Sequence, residues 1–261
     1  IDSIVLNAGG FLAKYDTSGN FIWAKDVGGY TYELNFDLNQ NLFLLGNFDN
    51  ANIDFDPGVS FYTLAANSTD GRFVTKLDSS ANFLWARGWS PFLITNPYIS
   101  APDMDVDENG NSFIILKIGS TDIDPSLSVS LILDGCYVVK LNPQGNMLWY
   151  VSPYQGFQSI GANALKLNSN ADFYVGGAFI GTNIDLDPGP GVFYLSTNPG
   201  LYSSIISVFD SSGIFLNAKT FSGNADNKCY QMAIDHNQQI YVTGIYNGQC
   251  DFDPGPANAI M

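Results

Sequence analysis

The chain has 261 residues, 46% of them hydrophobic and only 13% charged, a composition that excludes both an intrinsically disordered chain and a coiled coil. Its formal charge of −15, from 25 acidic against 10 basic residues, repels phosphate backbones, which argues against nucleic-acid partners, and attracts cations. No apolar run approaches the roughly 18 residues of a membrane-spanning helix, whereas 26 glycines and 14% aromatic residues suit strands joined by tight turns.

In chain order, the first predicted element is an alternating strand, FLAKYD (11–16), followed by the turn TSGN and a second strand, FIWAK (21–25). Two alternating runs separated by turn residues form a hairpin. A second hairpin follows at 36–48, FDLNQNLFLLGNF, turning on a cluster of Asp and Asn, and then an acidic turn, DFDPG (54–58). The same four signatures then return in the same order. FVTKLD (73–78), FLWAR (83–87), VDENGNSFIILKI (106–118) and DIDPS (122–126) form the second set. YVVKLN (137–142), MLWYV (147–151), LNSNADFYVGGAF (167–179) and DLDPG (185–189) form the third. IISVFD (205–210), IFLNAK (214–219), IDHNQQIYVTGIY (234–246) and DFDPG (251–255) form the fourth. Lys14, Lys76, Lys140 and Ser207 mark one position of the repeat, at separations of 62, 64 and 67 residues.

A repeat of two hairpins, about four strands, cannot bury its apolar faces alone. Radial stacking of such sheets solves this and leaves only short edges. The expected fold is therefore an all-β propeller of four repeats of about four antiparallel strands, in a single domain over 1–261. Blades are expected at about 30–98, 99–158 and 159–227, with a fourth formed from 228–261 and completed by 1–29. Two arrangements fit the sequence: a closed four-blade ring, or an arc of a six- to eight-bladed propeller.

The acidic turns are the first candidate site. Residues i and i+2 of a strand point the same way, so Asp54/Asp56, Asp122/Asp124, Asp185/Asp187 and Asp251/Asp253 each place two carboxylates together. Such a pair either holds a cation, with calcium the expected metal because it accepts carboxylate and carbonyl oxygens, or caps the amides of an Asp-Pro-Gly turn. The DVDENGN segment imitates the start of a calcium-binding EF-hand loop. It carries Leu116 where that loop needs glutamate, and reads as an acidic hairpin turn. His236, the only histidine, sits in a turn and has no partner arrangement for nucleophilic catalysis. Glutamate occurs only at 33 and 108, and the aspartates recur in every repeat, so no catalytic residues are assigned.

Trp23, Trp85 and Trp149 share one repeat position and are expected to pack between blades. Trp89, Tyr98 and Tyr154 lie outside that register and are the candidate exposed contacts for a protein or glycan partner. Cys136, Cys229 and Cys250 match no zinc pattern; they permit either one disulfide, Cys229–Cys250, or three free thiols.

The DFDPG turn together with FVTKLD and FLWAR resembles the β-propeller repeats, called SBBP repeats, of large secreted or surface proteins of bacteria. The resemblance covers essentially the whole chain. It implies a propeller, an extracellular or cell-surface location, membership of a larger polypeptide or assembly, and a binding, adhesion or structural role without enzymatic activity. Ser126, Asn217 and Ser207 depart from the glycine, tryptophan and lysine of the other copies. The alternative expectation, from a different class, is a carbohydrate-active lyase or hydrolase with a cleft on a propeller face.

Overall fold

The computed structural model describes residues 10–49, 53–64, 71–89, 103–125, 132–153, 161–255 and 259–261. Among them are 19 strands and no helix. Every strand pairing whose register is resolved is antiparallel. The predicted hairpins are all present.

The chain divides into two compact units. The first comprises 1–95, 118–134 and 143–146; the second comprises 96–117, 135–142 and 147–261. In the first unit, β1 (Phe11–Tyr15) and β2 (Phe21–Asp26) form a two-stranded sheet, and β3 (Tyr30–Phe36), β4 (Leu42–Phe48), β5 (Gly71–Leu77) and β6 (Phe83–Trp89) form a four-stranded meander. Its core joins Leu12 and Val27 to Leu44, Phe48, Phe55, Phe73, Leu77 and Ala86.

β7 (Met104–Val106), β8 (Ser112–Asp122), β9 (Ile132–Leu141) and β10 (Met147–Val151) make the next four-stranded meander. In the second unit, β11 (Gly161–Leu167), β12 (Phe173–Phe179), β15 (Ser203–Phe209) and β16 (Phe215–Gly223) repeat the arrangement. A short pair, β13 (Ile184–Asp185) with β14 (Tyr194–Leu195), lies between β12 and β15 in sequence, and β19 (Cys250–Asp251) adds to β16. β17 (Asn227–Ile234) and β18 (Ile240–Tyr246) form a two-stranded sheet, with β17 packed on β11 and β12. The core of this unit includes Phe113, Val138, Leu165, Phe173, Phe179, Ile205 and Phe209, with the Phe173 and Phe209 rings stacked at 4.9 Å.

One detail explains a recurring glycine. Gly46, Gly177 and Gly244 occupy the same repeat position, and each lies opposite a β-bulge in the preceding strand. A Cβ at any of them would run into the backbone carbonyl of Tyr30, Gly161 or Lys228. The bulge pushes that carbonyl under the neighbouring strand, and only glycine leaves room. The second repeat carries Leu116 here, and its pairing register is defined only from Met104↔Ile114 to Val106↔Ser112.

Candidate functional site: the acidic turns

Three of the four acidic turns share one hydrogen-bond scheme. Asp54 Oδ1 accepts from the amides of Asp56 (3.0 Å) and Tyr62 (2.9 Å). Asp185 Oδ1 accepts from Asp187 (3.2 Å) and Phe193 (2.8 Å), and Asp251 Oδ1 from Asp253 (3.1 Å) and Ala259 (2.9 Å). The second aspartate then accepts from the glycine amide two residues on: Asp56 from Gly58 (2.8 Å), Asp187 from Gly189 (2.7 Å) and Asp253 from Gly255 (2.7 Å). A Cβ on these glycines would stand 2.9 to 3.0 Å from the aspartate Oδ1, so the tight carboxylate–amide approach explains the residue type. In the remaining turn, Asp122 Oδ1 accepts from Asp124 N at 3.1 Å. Each first aspartate thus closes a small loop by serving as acceptor for its backbone donors.

The residue between the two aspartates faces inward. Phe55, Ile123 and Leu186 are buried, whereas Phe252 of the fourth repeat is partly exposed. No group of three or more His, Cys, Asp and Glu side chains with metal-binding geometry occurs among the described residues.

The hairpin turns use a second set of carboxylates in the same way. Asp37 Oδ1 accepts from the amides of Asn39 and Asn41 (both 2.9 Å), while its Oδ2 accepts from Asn41 Nδ2 (2.8 Å). Asp107 does the same with Asn109 and Asn111, so the DVDENGN segment is a capped hairpin turn. Asp16, Asp78, Asp210 and Asp235 repeat the amide contacts. These bonds strengthen several of the acids: the Asn20 side chain holds Asp16 below the ordinary carboxylate value, and the Asn82 amide does so for Asp78. Burial raises Asp105 instead, although its Oδ2 accepts from Leu167 N at 3.0 Å.

A third recurrent feature links consecutive repeats. Lys76 pairs with Asp37 at 3.1 Å, with both side chains almost fully buried, and donates to Pro143 O (3.4 Å) in the turn of the following repeat. Trp85 Nε1 donates to the same carbonyl at 2.9 Å. One repeat further on, Lys140 Nζ donates to Ser211 O (2.9 Å), lies 4.5 Å above the Phe113 ring and interacts electrostatically with Asp107. Trp149 stacks on Phe173 at 5.6 Å.

Trp89, expected to be an exposed contact, is buried (1% exposed) and donates from Nε1 to Ile123 O at 2.8 Å. β6 runs two residues past Arg87 because Arg72 of β5 pairs with Trp89, which carries the indole inward. Tyr98 and Tyr154 lie outside the described residues. His236 is exposed. All three cysteines are free thiols, and burial pushes Cys229 up to about 12, which suppresses its thiolate.

These features define an all-β repeat protein whose acidic side chains close turns. No protein-family model matches the chain, and no curated protein matches it. No helix among the described residues is long and apolar enough to cross a membrane.

Proposed function

We propose that this chain is a β-propeller-type repeat module of the SBBP kind, acting outside the cell or at its surface as a non-enzymatic binding or structural unit. The observation that carries this reading is the use made of its carboxylates. The turn aspartates are engaged with backbone amides in repeat-equivalent places, and a general acid–base pair needs two acids distinguished from the rest. The propeller arrangement draws support from links that run the same way at inner and outer strands. Asp103 Oδ2 accepts from Leu165 N (2.7 Å) and Asn163 Nδ2 donates to Cys229 O (2.8 Å) along successive first strands, while Lys76 and Lys140 reach successive outer turns. Sheets that lean on their successors through both ends suit stacking about a common axis.

The test is a polysaccharide panel assayed for both retention and cleavage. Binding to a glycan or protein without new reducing or unsaturated ends is the expected result. Turnover of any glycan would replace this reading with a lyase or hydrolase.

A further inference from the structure

Lys117 lies on β8 and Cys136 on β9, neighbouring strands of one sheet. Both residues belong to the second compact unit, and both are half-buried. The matching strands pair Asn47 with Arg72 in the first repeat and Ala178 with Ser204 in the third. Neither repeat carries lysine or cysteine at these places. Transferred to the second repeat, the same register sets residue 117 directly opposite residue 136, with Cβ atoms about 5 Å apart. The two side chains interact electrostatically, as that placement requires.

The first strand of the third repeat completes the cluster. Asn163 is the extra residue of the β11 bulge, between the pairs Ala162↔Gly177 and Ala164↔Gly176. The bulge frees its side chain from the ladder pattern. Asn163 Oδ1 accepts from Lys117 Nζ (3.4 Å), and its Nδ2 donates to Cys229 O (2.8 Å). Lys117 Nζ lies 3.6 Å from where a Cβ on Gly161 would stand, and the Ala162 amide hydrogen-bonds to the Cys136 sulfur. Residues 161–163 thus touch both the amine and the sulfur.

Cys136 is the most exposed of the three thiols. Cys229 and Cys250 are each only 1% exposed, and burial pushes Cys229 up to about 12. Burial lowers Lys117, which favours the neutral amine. Burial also raises Cys136, with the Lys117 charge and the Ala162 amide acting against it. A neutral amine beside a thiol takes up its proton and so activates the sulfur.

We propose that Lys117 and Cys136 form a redox-sensitive crosslinking site, in which a peroxide oxidises the thiol to a sulfenic acid and the amine then closes a sulfur–nitrogen bond between β8 and β9. In the first step the sulfur attacks one peroxide oxygen and the O–O bond breaks. The departing hydroxide receives the thiol proton by way of Lys117, which leaves Cys136 as its sulfenic acid and one water. In the second step the Lys117 lone pair attacks the sulfur and the S–O bond breaks. Hydroxide leaves with a proton from the nitrogen as a second water. Sulfur is oxidised by two electrons and the peroxide is reduced by two; a thiol reductant reverses the link. The inference rests on this cluster and not on the proposed extracellular role.

The test treats the full chain with hydrogen peroxide, unfolds it without reductant, cleaves it with chymotrypsin and reads the masses. The expected product is a peptide pair joined through Lys117 and Cys136, about 2 Da lighter than the two peptides apart, which dithiothreitol separates. Cys229 and Cys250 should remain thiols under the same exposure. In Lys117→Met the link should be lost, and Cys136 should accumulate as a dimedone-trapped sulfenic acid or as a sulfinic acid about 32 Da heavier than the thiol. The digest of the unmutated chain decides by itself if that variant misfolds. An unmodified Cys136, a disulfide between two copies, or a Cys136 sulfinic acid beside an unlinked Lys117 overturns the proposal.

Discussion

β4 and β18 hold the same place in the repeat and carry similar residues, LFLLGNF and IYVTGIY. In β4, six of the seven residues are buried; in β18, none is. Hydrophobicity is not the difference, and neither is the preceding hairpin partner, since β3 pairs with β4 much as β17 pairs with β18. What differs is the far side: β5 continues the sheet beyond β4, whereas no strand among the described residues pairs with the far side of β18. Strands of similar sequence are thus buried or exposed according to what is packed around them.

The largest expected effect breaks that comparison outright. Phe43→Ala removes a fully buried ring and should cost about 3–5 kcal/mol, read from the shift of the urea midpoint. Tyr241→Ala, at the matching place in β18, should cost less than about 1 kcal/mol in dilute protein. Equal losses would mean that β18 is covered.

Next in size is the lysine pair. Lys76→Ala strands the buried Asp37 carboxylate and should cost about 3 kcal/mol, while Lys14→Ala, at the exposed matching position, should stay within about 0.5 kcal/mol. A comparable penalty at Lys14 would show it already paired.

The acidic turns give a smaller effect and decide between cap and cation. Asp54→Ala deprives the Asp56 and Tyr62 amides of their acceptor and should cost about 1–3 kcal/mol. Asp54→Asn preserves an acceptor oxygen and should be nearly neutral, with a melting temperature indifferent to calcium or chelator. A calcium-dependent rise that Asp54→Asn removes would assign these turns to the metal.

The mildest test is acid titration. The Asn20 side chain lowers Asp16, the Asn82 amide lowers Asp78, and for Asp37 the Asn41 and Lys76 contacts outweigh the upward push of burial. Carboxyls lowered by folding contribute stability that is complete above their unfolded value near 3.8 and is lost as pH falls through their folded values. Asp105, raised by burial, works in the opposite sense, so its contribution is lost as pH rises from the unfolded value through the folded one. Urea midpoints should fall with pH below about 4, and Asp16→Asn should flatten that slope slightly.

Much of the fold was legible because the repeat is written in side-chain alternation. FLAKY, FIWAK and the Asx-centred hairpins were expected from pattern and turn residues, and each forms where expected. The turn aspartates were placed correctly as turn residues, but pairing at i and i+2 could not distinguish caps from ligands, because that depends on which amides converge on each carboxylate. Trp89 was misread for a different reason. The alternation Phe83, Trp85, Arg87, Trp89 already put it on one face with Trp85, but the strand end was drawn too early, and strand ends are set by the partner. The recurrence of Lys14, Lys76 and Lys140 was visible in the letters, but that Lys76 meets Asp37 and is buried with it emerged only from the structure.

Amide hydrogen exchange in dilute protein tests the central claim most directly, because it reads strand coverage residue by residue. Amides of β4 and β12 should exchange only through global opening; in β18 the odd-numbered backbone groups face β17, so the amides of Ile240, Val242 and Tyr246 point away from it and should exchange orders of magnitude faster. Uniform slow exchange along all three strands at the lowest concentration would contradict the account.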